Sequence, residues 1–433
     1  MAEEESSTRW DRYFLYGSIG VLALTGVAAW LAFALLRPTP PRTVTMATGP
    51  EDSSAAALGK RYREILARDG VGVRLVPTAG AVASAALLRD AKSDVSIAIL
   101  PGGITDQKES PDLVSLGTLF YEPLWLFYRE QKGENRPVLR DMRISIGPEG
   151  SGSRALALEF FVRAGIIDQA SDKQLALMPS ESVPKLIHGE IDGVALLGSW
   201  EMPGVQQLLA AHDVKLINIR RADAWVQLYP FLNKVTLPAG VVNMAEDIPP
   251  TDLVLLAPKA SLIVRGNLHP AIQCLLMEAA VEIHSEPGVL RKAGEFPAAE
   301  SIDLPLSEPA RQFYKTGPPF FQRTLPFWLA VFVQQLLVLL IPVLGVLYPL
   351  LRFAPGLFGW FMRRRIYRLY DELILLETEI ASGSGVTDGK VTRVERLDGL
   401  EEKAKKFRMP KSFEPLVYDL RLHISLVREK IEG

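Results

Sequence analysis

The chain has 433 residues, a formal net charge of −2 and a hydrophobic fraction of 48%. This length allows two or three packed domains, and the lack of a basic excess argues against nucleic-acid binding. The single cysteine, Cys274, excludes an intramolecular disulfide, and its apolar helical surroundings predict an ordinary buried thiol. The five histidines are scattered along the chain, so we expect no metal site and no cofactor.

Two long apolar stretches predict membrane-spanning helices. Residues 13–36 carry no charge, and residues 325–351 have Gln334 and Gln335 as their strongly polar side chains. Each stretch is long enough to cross the hydrocarbon core of a bilayer. The first is not followed by a small-residue cleavage site, which favours an uncleaved anchor over a signal peptide.

An arginine cluster after the second stretch predicts the orientation of both. Its members are Arg352, Arg363, Arg364, Arg365 and Arg368. Because positive charge marks the cytoplasmic side of a membrane, both chain termini are expected in the cytoplasm. The predicted order is a cytoplasmic N-terminus (1–12), a span (13–36), an external domain (37–324), a second span (325–351) and a cytoplasmic tail (352–433).

The external segment alternates between strand and helix patterns. "RTVTMAT" (42–48) and "VGVRLVPT" (71–78) predict strands that are each followed by a helix, and "VSIAIL" (95–100) predicts a buried strand. Such a βαβαβ order predicts a parallel sheet with right-handed crossovers.

The same order begins again at "RISIG" (143–147). A helix follows Gly-Ser-Gly-Ser, and the next strand of the repeated pattern is placed at "ALMPS" (176–180). A second helix then leads to the strand pattern "IDGVALLG" (191–198). We therefore expect two α/β lobes with a ligand pocket between them. The predicted limits are about 43–138, with segments returning after about 235, for the first lobe and about 139–234 for the second.

Three loops stand at the carboxyl ends of predicted strands, where open α/β sheets bind their ligands. They lie at 48–50, 78–81 and 150–154 and consist mainly of small residues. Backbone N–H groups in such loops suit a carboxylate or another small anion. The third loop has neither the Lys-Ser/Thr pair of a P-loop nor the G-x-G-x-x-G pattern, so a nucleotide is not indicated.

The order of these motifs resembles the TAXI family of solute-binding subunits of TRAP transporters. The matching stretches include "VPTAGAVASAALLRDAKSDVSIA", "YEPLWLFYR", "ISIGPEGSGSRALALEFF" and "LPAGVVNMAEDIPPTDLVLLAPKASLIV", and together they cover nearly the whole external segment. The resemblance implies a type II periplasmic-binding-protein architecture of two α/β lobes joined by a hinge. It also implies a small organic acid or amino acid as ligand, TRAP permease subunits as partners, and a bacterial inner membrane with the main domain in the periplasm.

The resemblance also implies ligand-binding positions. The predicted ligand-binding residues are Thr48, Gly49, Thr78, Gly80, Ala81, Ser151, Gly152, Ser153 and Arg154, of which Ala81 departs from the family pattern. The family usually has a tyrosine where this chain has alanines at 55–57, and a serine followed by an asparagine in the loop that here contains Ala81. Ser151 and Ser153 can equally be helix N-caps, and Arg154 can be solvated. Glu122 is interpreted as a structural acid at a turn or hinge.

The tail has three helical patterns separated by breaks. They are "RRIYRLYDELILLETEIAS", "VTRVERLDGLEEKAKKF" and "LVYDLRLHISLVREKIEG". Apolar residues recur every three or four positions, which predicts a short antiparallel helical hairpin or coiled-coil bundle. The arginine cluster can also contact anionic membrane lipid, and the tail can bind a protein partner.

The leading hypothesis is a membrane-anchored solute-binding receptor that presents its ligand to a separate permease. The alternative is a sensory or assembly protein, in which a binding-protein-like domain works with a cytoplasmic helical relay or scaffold. No acid–base pair, nucleophile or metal set indicates an enzyme.

Overall fold

The computed structural model describes residues 26, 30, 39–130, 139–167, 172–381, 389–406 and 413–432. The chain forms two compact units. One comprises Thr39–Val331 and is called the α/β unit, and the other comprises Met1–Pro38 and Phe332–Gly433 and is called the helical unit.

The first sheet of the α/β unit is built on three parallel strands. Its elements in chain order are β1 (Thr43–Gly49), α1 (Ser54–Arg68), β2 (Gly72–Pro77), α2 (Ala81–Arg89), β3 (Ile97–Pro101) and β4 (Leu113–Tyr121). Strand β1 lies between β2 and β3 and pairs in parallel with both, as the sequence predicted. Strand β3 is buried along its whole length, which explains its unbroken apolar sequence.

The second sheet is formed by strands from the middle of the chain. The elements there are β5 (Leu124–Arg129), β6 (Ile144–Ser145), α3 (Gly152–Arg163), β7 (Gln174–Leu175), α4 (Pro179–His188), β8 (Gly193–Leu197), α5 (Pro203–Leu209), β9 (Val214–Leu216), α6 (Ala222–Leu228), β10 (Leu232–Leu237) and β11 (Leu253–Arg265). The strand order of the second sheet is β7-β6-β8-β5-β9. Strand β6 is parallel to β7 and β8, whereas β5 is antiparallel to β8. The predicted element at 176–180 is not a strand, because Met178 is the N-cap of α4 and Pro179 begins that helix.

Two segments connect the sheets. Strand β4 pairs with β11 in the first sheet, and β5, which follows Glu122 and Pro123, belongs to the second. Strand β11 pairs with β10 through its first half and with β3 and β4 through its second half. The N–H of Glu122 donates to the carbonyl of Pro258 at 2.9 Å, so the two connections are bonded to each other. Two α/β lobes joined in this way form the periplasmic-binding-protein-like fold that the sequence indicated.

The chain therefore passes from lobe 1 to lobe 2 near Glu122 and returns near Pro258, whereas the sequence placed these limits near 138 and 235. Lobe 1 contains 39–121 and 259–331, and lobe 2 contains 124–257. The limits differ because no Gly-rich turn separates β4 from β5, and because β11 is one uninterrupted strand that pairs with β10 in its first half and with β3 and β4 in its second half.

Four further helices begin in lobe 1: α7 (Pro270–His284), α8 (Glu308–Thr316), α9 (Phe320–Thr324) and α10 (Phe327–Ala381). Helix α7 is the central helix of the lobe 1 core, and Cys274 is buried on it as predicted. The first turn of α10 joins the same core through Phe327 and Val331. The Trp328 indole N–H donates to the carbonyl of Asp69 at 2.9 Å, which attaches α10 to the end of α1.

The helical unit contains three helices with a hydrophobic core of their own. They are α10 from residue 332 onward, α11 (Gly389–Lys406) and α12 (Glu414–Glu432). The core residues are Ile366, Leu369, Leu373, Leu376, Leu397, Leu400, Ala404, Val417, Leu420, Ile424 and Val427. Their spacing of three and four residues is the apolar repeat seen in the sequence of the tail.

In the part of the chain that the structure describes, no helix combines the length and the apolar composition needed to cross a membrane. Of the predicted span 13–36, only Gly26 and Trp30 are among the described residues. The predicted span 325–351 falls largely on α10. Both spans stay predictions.

Candidate functional site

The two lobes enclose a cavity of about 80 Å³ at the carboxyl ends of their parallel strands. Loops from both lobes form its walls, together with buried parts of β3 and β8. A single bound water needs at least about 10–15 Å³ on this measure, so the cavity can hold more than one water-sized group. It is far smaller than the pockets of about 300–1,000 Å³ that hold drug-sized ligands.

A repeated sequence pattern borders the cavity on both sides. Gly-Pro-Glu-X-Ser occurs at 49–53, after β1, and at 147–151, after β6. In lobe 1 the Ser53 hydroxyl donates to the carbonyl of Pro50 at 2.6 Å and accepts the N–H of Ala56 at 3.2 Å. Ser53 is therefore the N-cap of α1, and this cap and the first residues of the helix line the cavity.

Lobe 2 repeats this geometry at α3. The Ser151 hydroxyl donates to the carbonyl of Pro148 at 2.7 Å and accepts the N–H of Arg154 at 3.1 Å. The glycine that opens each pattern has a positive φ, 71° at Gly49 and 94° at Gly147, a conformation that other residues rarely adopt. Two helix N-termini with matching caps thus face one cavity, and their dipoles and free N–H groups favour negative charge there.

The start of α2 is packed directly against lobe 2. Gly80 has a φ of 149°, and a Cβ at this position would lie 2.6 Å from the Cα of Ser151. The N–H of Ala83 donates to the carbonyl of Gly150 at 3.1 Å. Only a glycine allows the two loops to approach this closely.

Two further hydrogen bonds hold the lobes together. The N–H of Ser199 donates to the hydroxyl of Ser54 at 2.9 Å, and the N–H of Ser180 donates to a carboxylate oxygen of Asp52 at 3.0 Å. Both donors belong to lobe 2 and both acceptors to lobe 1. The structure therefore represents a closed arrangement of the lobes.

Seven of the nine residues predicted as ligand-binding line this cavity. They are Thr48, Gly49, Gly80, Ala81, Ser151, Gly152 and Ser153. The hydroxyl of Ser151 is committed to the helix cap, whereas that of Ser153 accepts the N–H of Leu197 at 2.9 Å and keeps its own proton for another acceptor.

Thr78 and Arg154 are not part of the lining. The Thr78 hydroxyl accepts the N–H of Gly80 at 3.3 Å and shares a hydrogen bond with the Ser84 hydroxyl at 2.8 Å, so it shapes the loop before α2. The Arg154 guanidinium makes a long contact of 3.5 Å with the carbonyl of Gly147. Its ligand-binding role stays a prediction, since Gly147 itself lines the cavity.

Glu122 is a lining residue that sequence reasoning interpreted as structural. It is 7% exposed and lies at the hinge between β4 and β5. Burial raises the pKa of its carboxyl to about 7. The signal was available in the sequence, because Glu122 is the one charged residue in the run 113–128.

Serine hydroxyls that the sequence did not single out complete the polar lining. Ser145 on β6 is 1% exposed, and its hydroxyl has no hydrogen-bond partner within the described part of the chain. Ser182 on α4 is equally buried. Within the described ranges, no group of histidine, cysteine and acidic side chains is arranged to hold a metal ion.

The sequence profile of the NMT1-like family matches residues 52–316, which is more than half of the chain. The chain belongs to the NMT1-like family. The matched region of this NMT1-like protein begins inside the first Gly-Pro-Glu-X-Ser pattern, after β1, and ends with α8, so it contains lobe 2 and most of lobe 1. No curated protein matches the chain.

Solved structures resemble the NMT1-like protein only remotely. A protein from Bordetella bronchiseptica RB50 is 14% identical with a TM-score of 0.39, covering 57% of this chain and 72% of its own. The periplasmic aliphatic sulphonate binding protein SsuA from Escherichia coli is 14% identical with a TM-score of 0.33, covering 56% and 73%. An ancestral arginine-binding protein bound to arginine is 14% identical with a TM-score of 0.35, covering 57% and 93%. Similarity at this level does not identify what the NMT1-like protein binds.

Proposed function

We propose that this chain is a solute-binding receptor that encloses a small polar organic molecule between its two lobes and does no chemistry on it. The observation that carries the proposal is the closed cavity onto which the capped N-termini of α1 and α3 converge. Buried hydroxyls and helix N-termini suit recognition. The two-stranded hinge at Glu122 and Pro258 suits opening and closure around a ligand.

We further propose that the receptor is anchored in a bacterial inner membrane by 13–36 and by the part of 325–351 that follows Val331, with the α/β unit in the periplasm. The span begins after Val331 because Phe327 and Val331 lie in the lobe 1 core. The ligand of the receptor would be handed to a separate permease, of TRAP type if the resemblance to the TAXI family extends to function. Support comes from the length and apolarity of the two stretches and from the arginines that follow the second.

A second candidate is a sensory or assembly protein. It is favoured by the helical unit, which has a hydrophobic core of its own, and by the hydrogen bonds that hold the lobes directly to each other. In this case the lobes bind a protein partner or signal their state through the tail, and the cavity is a remnant of the fold.

Calorimetric titration of the purified full-length protein against small carboxylates, amino acids and amines tests the receptor proposal. We expect one solute class to bind saturably. Ser145→Val, which removes a hydroxyl from the cavity wall and adds a methyl group, should weaken that binding at least tenfold, or by about 1.4 kcal/mol. Arg154→Ala is the matched control, because Arg154 lies beside the same loop but outside the lining, and it should stay within twofold of wild type.

Absence of binding across the panel, with thermal unfolding showing that the protein is folded, would refute the receptor proposal and favour the sensory or assembly function. Equal loss in both variants would show that the solute does not occupy this cavity.

A further inference from the structure

Glu122 gives the cavity an acidic side chain with no basic side chain among the lining residues. Of the residues that line the cavity, Glu122 alone has an ionisable side chain, and no lysine, arginine or histidine is among them. Within the described part of the chain, its carboxyl has no hydrogen bond or ion pair. An unpaired carboxylate is unfavourable at a site that is 7% exposed, so it must take up a proton or meet a cation.

The opposite charge preference exists at the capped ends of α1 and α3. The N–H groups in the first turn of a helix have no partner within the helix, and the dipole favours an anion. These are helices of 15 and 12 residues whose starts line the cavity. The buried hydroxyl of Ser145, which has no partner in the described residues, also lines the cavity and is available to a ligand.

The volume limits the size of what fits between these groups. A cavity of about 80 Å³ is well below the pockets of about 300–1,000 Å³ that hold drug-sized ligands, so it suits a compact molecule. The apolar part of the wall includes Leu177, Leu197 and Met202, which would accept a short aliphatic group rather than a third charge. A dicarboxylate is disfavoured, because its second carboxylate would meet Glu122.

We propose that the cavity takes a small α-amino acid of the size of alanine or serine, with its ammonium group on Glu122 and its carboxylate at the N-termini of α1 and α3. The inference rests on the proposed receptor function. Of the ligands that the sequence predicted, small organic acids and amino acids, it selects the amino acids, which carry both an ammonium group and a carboxylate. Glu122 would then be the residue that separates an amino acid from the hydroxy acid of the same shape.

We test this inference on the full-length protein with L-alanine and with two probes, L-lactate and ethylamine, that each differ from L-alanine in one group. L-Lactate keeps the carboxylate and replaces the ammonium group by a hydroxyl, whereas ethylamine keeps the ammonium group alone. Calorimetry on wild type should show L-alanine binding at least tenfold more tightly than either. This comparison needs no variant, so it does not depend on how a substitution affects folding.

Glu122→Gln should then weaken L-alanine binding at least tenfold while leaving L-lactate binding unchanged or stronger. Glu149→Gln is the matched control, since Glu149 is exposed and outside the lining, and it should bind L-alanine as wild type does. L-Lactate binding as tightly as L-alanine, or L-alanine binding that is unaffected by Glu122→Gln, would overturn the inference and leave the receptor proposal standing. No binding of any probe, amino acid or carboxylate would overturn both.

Discussion

The buried carboxyl of Glu122 should make the stability of the ligand-free protein depend on pH in a defined way. Burial raises its pKa from 4.5 to about 7 in the folded protein. For an acid whose folded-state pKa is the higher one, the folded state binds the proton more tightly than the unfolded state. Its stabilising contribution is therefore complete below pH 4.5 and is lost as pH rises through 7. A shift of this size corresponds to about 3 kcal/mol.

Glu122→Gln replaces the carboxyl by a neutral group of the same shape and removes this dependence. We expect the variant to match wild type near pH 4.5 and to exceed it by up to about 3 kcal/mol in free energy of unfolding at pH 8. Urea unfolding of both full-length proteins, followed by tryptophan fluorescence between pH 4.5 and 8, measures the difference. Trp125 is buried three residues from the substitution and reports on lobe 2.

Only the difference between the two proteins is informative, because every other titrating group is common to both. Glu149→Gln, which changes an exposed acid, should give a difference that does not vary with pH. A difference between wild type and Glu122→Gln that is flat across this range, or a variant that is less stable at pH 8, would refute the reasoning about Glu122.

Three further substitutions have expected outcomes. Burial lowers the pKa of His284 to about 3, so its contribution is present above pH 6.5 and is lost as pH falls. His284→Phe should therefore shift the midpoint of acid unfolding to lower pH, and an unchanged midpoint would contradict this. Gly80→Ala should destabilise by more than Gly165→Ala, by roughly 1–3 kcal/mol, since both have a positive φ but only Gly80 faces the backbone of the opposite lobe. Equal melting temperatures would contradict the close contact. Lys259→Met should cost up to about 1 kcal/mol by removing the ion pair seen at 2.7 Å to the partly exposed Glu300, and thermal unfolding of Lys259→Met with Glu300→Gln should recover part of this loss.

The sequence predicted the parallel parts of the fold because strand patterns there alternate with helical patterns. The parallel pairing of β1 with β2 and β3 agrees with that pattern, whereas the position of β1 between them was not predicted. The sequence did not reveal that β11 serves both lobes, because an apolar strand that continues from one lobe into the other looks the same as one confined to a single lobe. Pairing partners of antiparallel strands far apart in the chain leave no local signal.

For the site, small residues in loops predicted which backbone segments meet, and the structure brings most of them to one cavity. Side-chain roles were harder to predict. Arg154 attracted attention as the basic residue of its loop, yet it is not among the residues that line the cavity, and its guanidinium contacts the carbonyl of Gly147. Glu122 was treated as a hinge residue, and its access to the cavity depends on strands that cross between lobes.

Because the first turn of α10 is fixed to lobe 1 and the chain enters that same lobe at β1, lobe 2 is an insertion with both of its ends at the hinge. Whatever lobe 2 does, neither exit from the α/β unit has to move with it. Trp328, whose indole N–H donates to the carbonyl of Asp69 at the end of α1, fixes the first turn of α10 to lobe 1. The opening and closure proposed above would therefore move lobe 2 alone relative to both ends of the α/β unit.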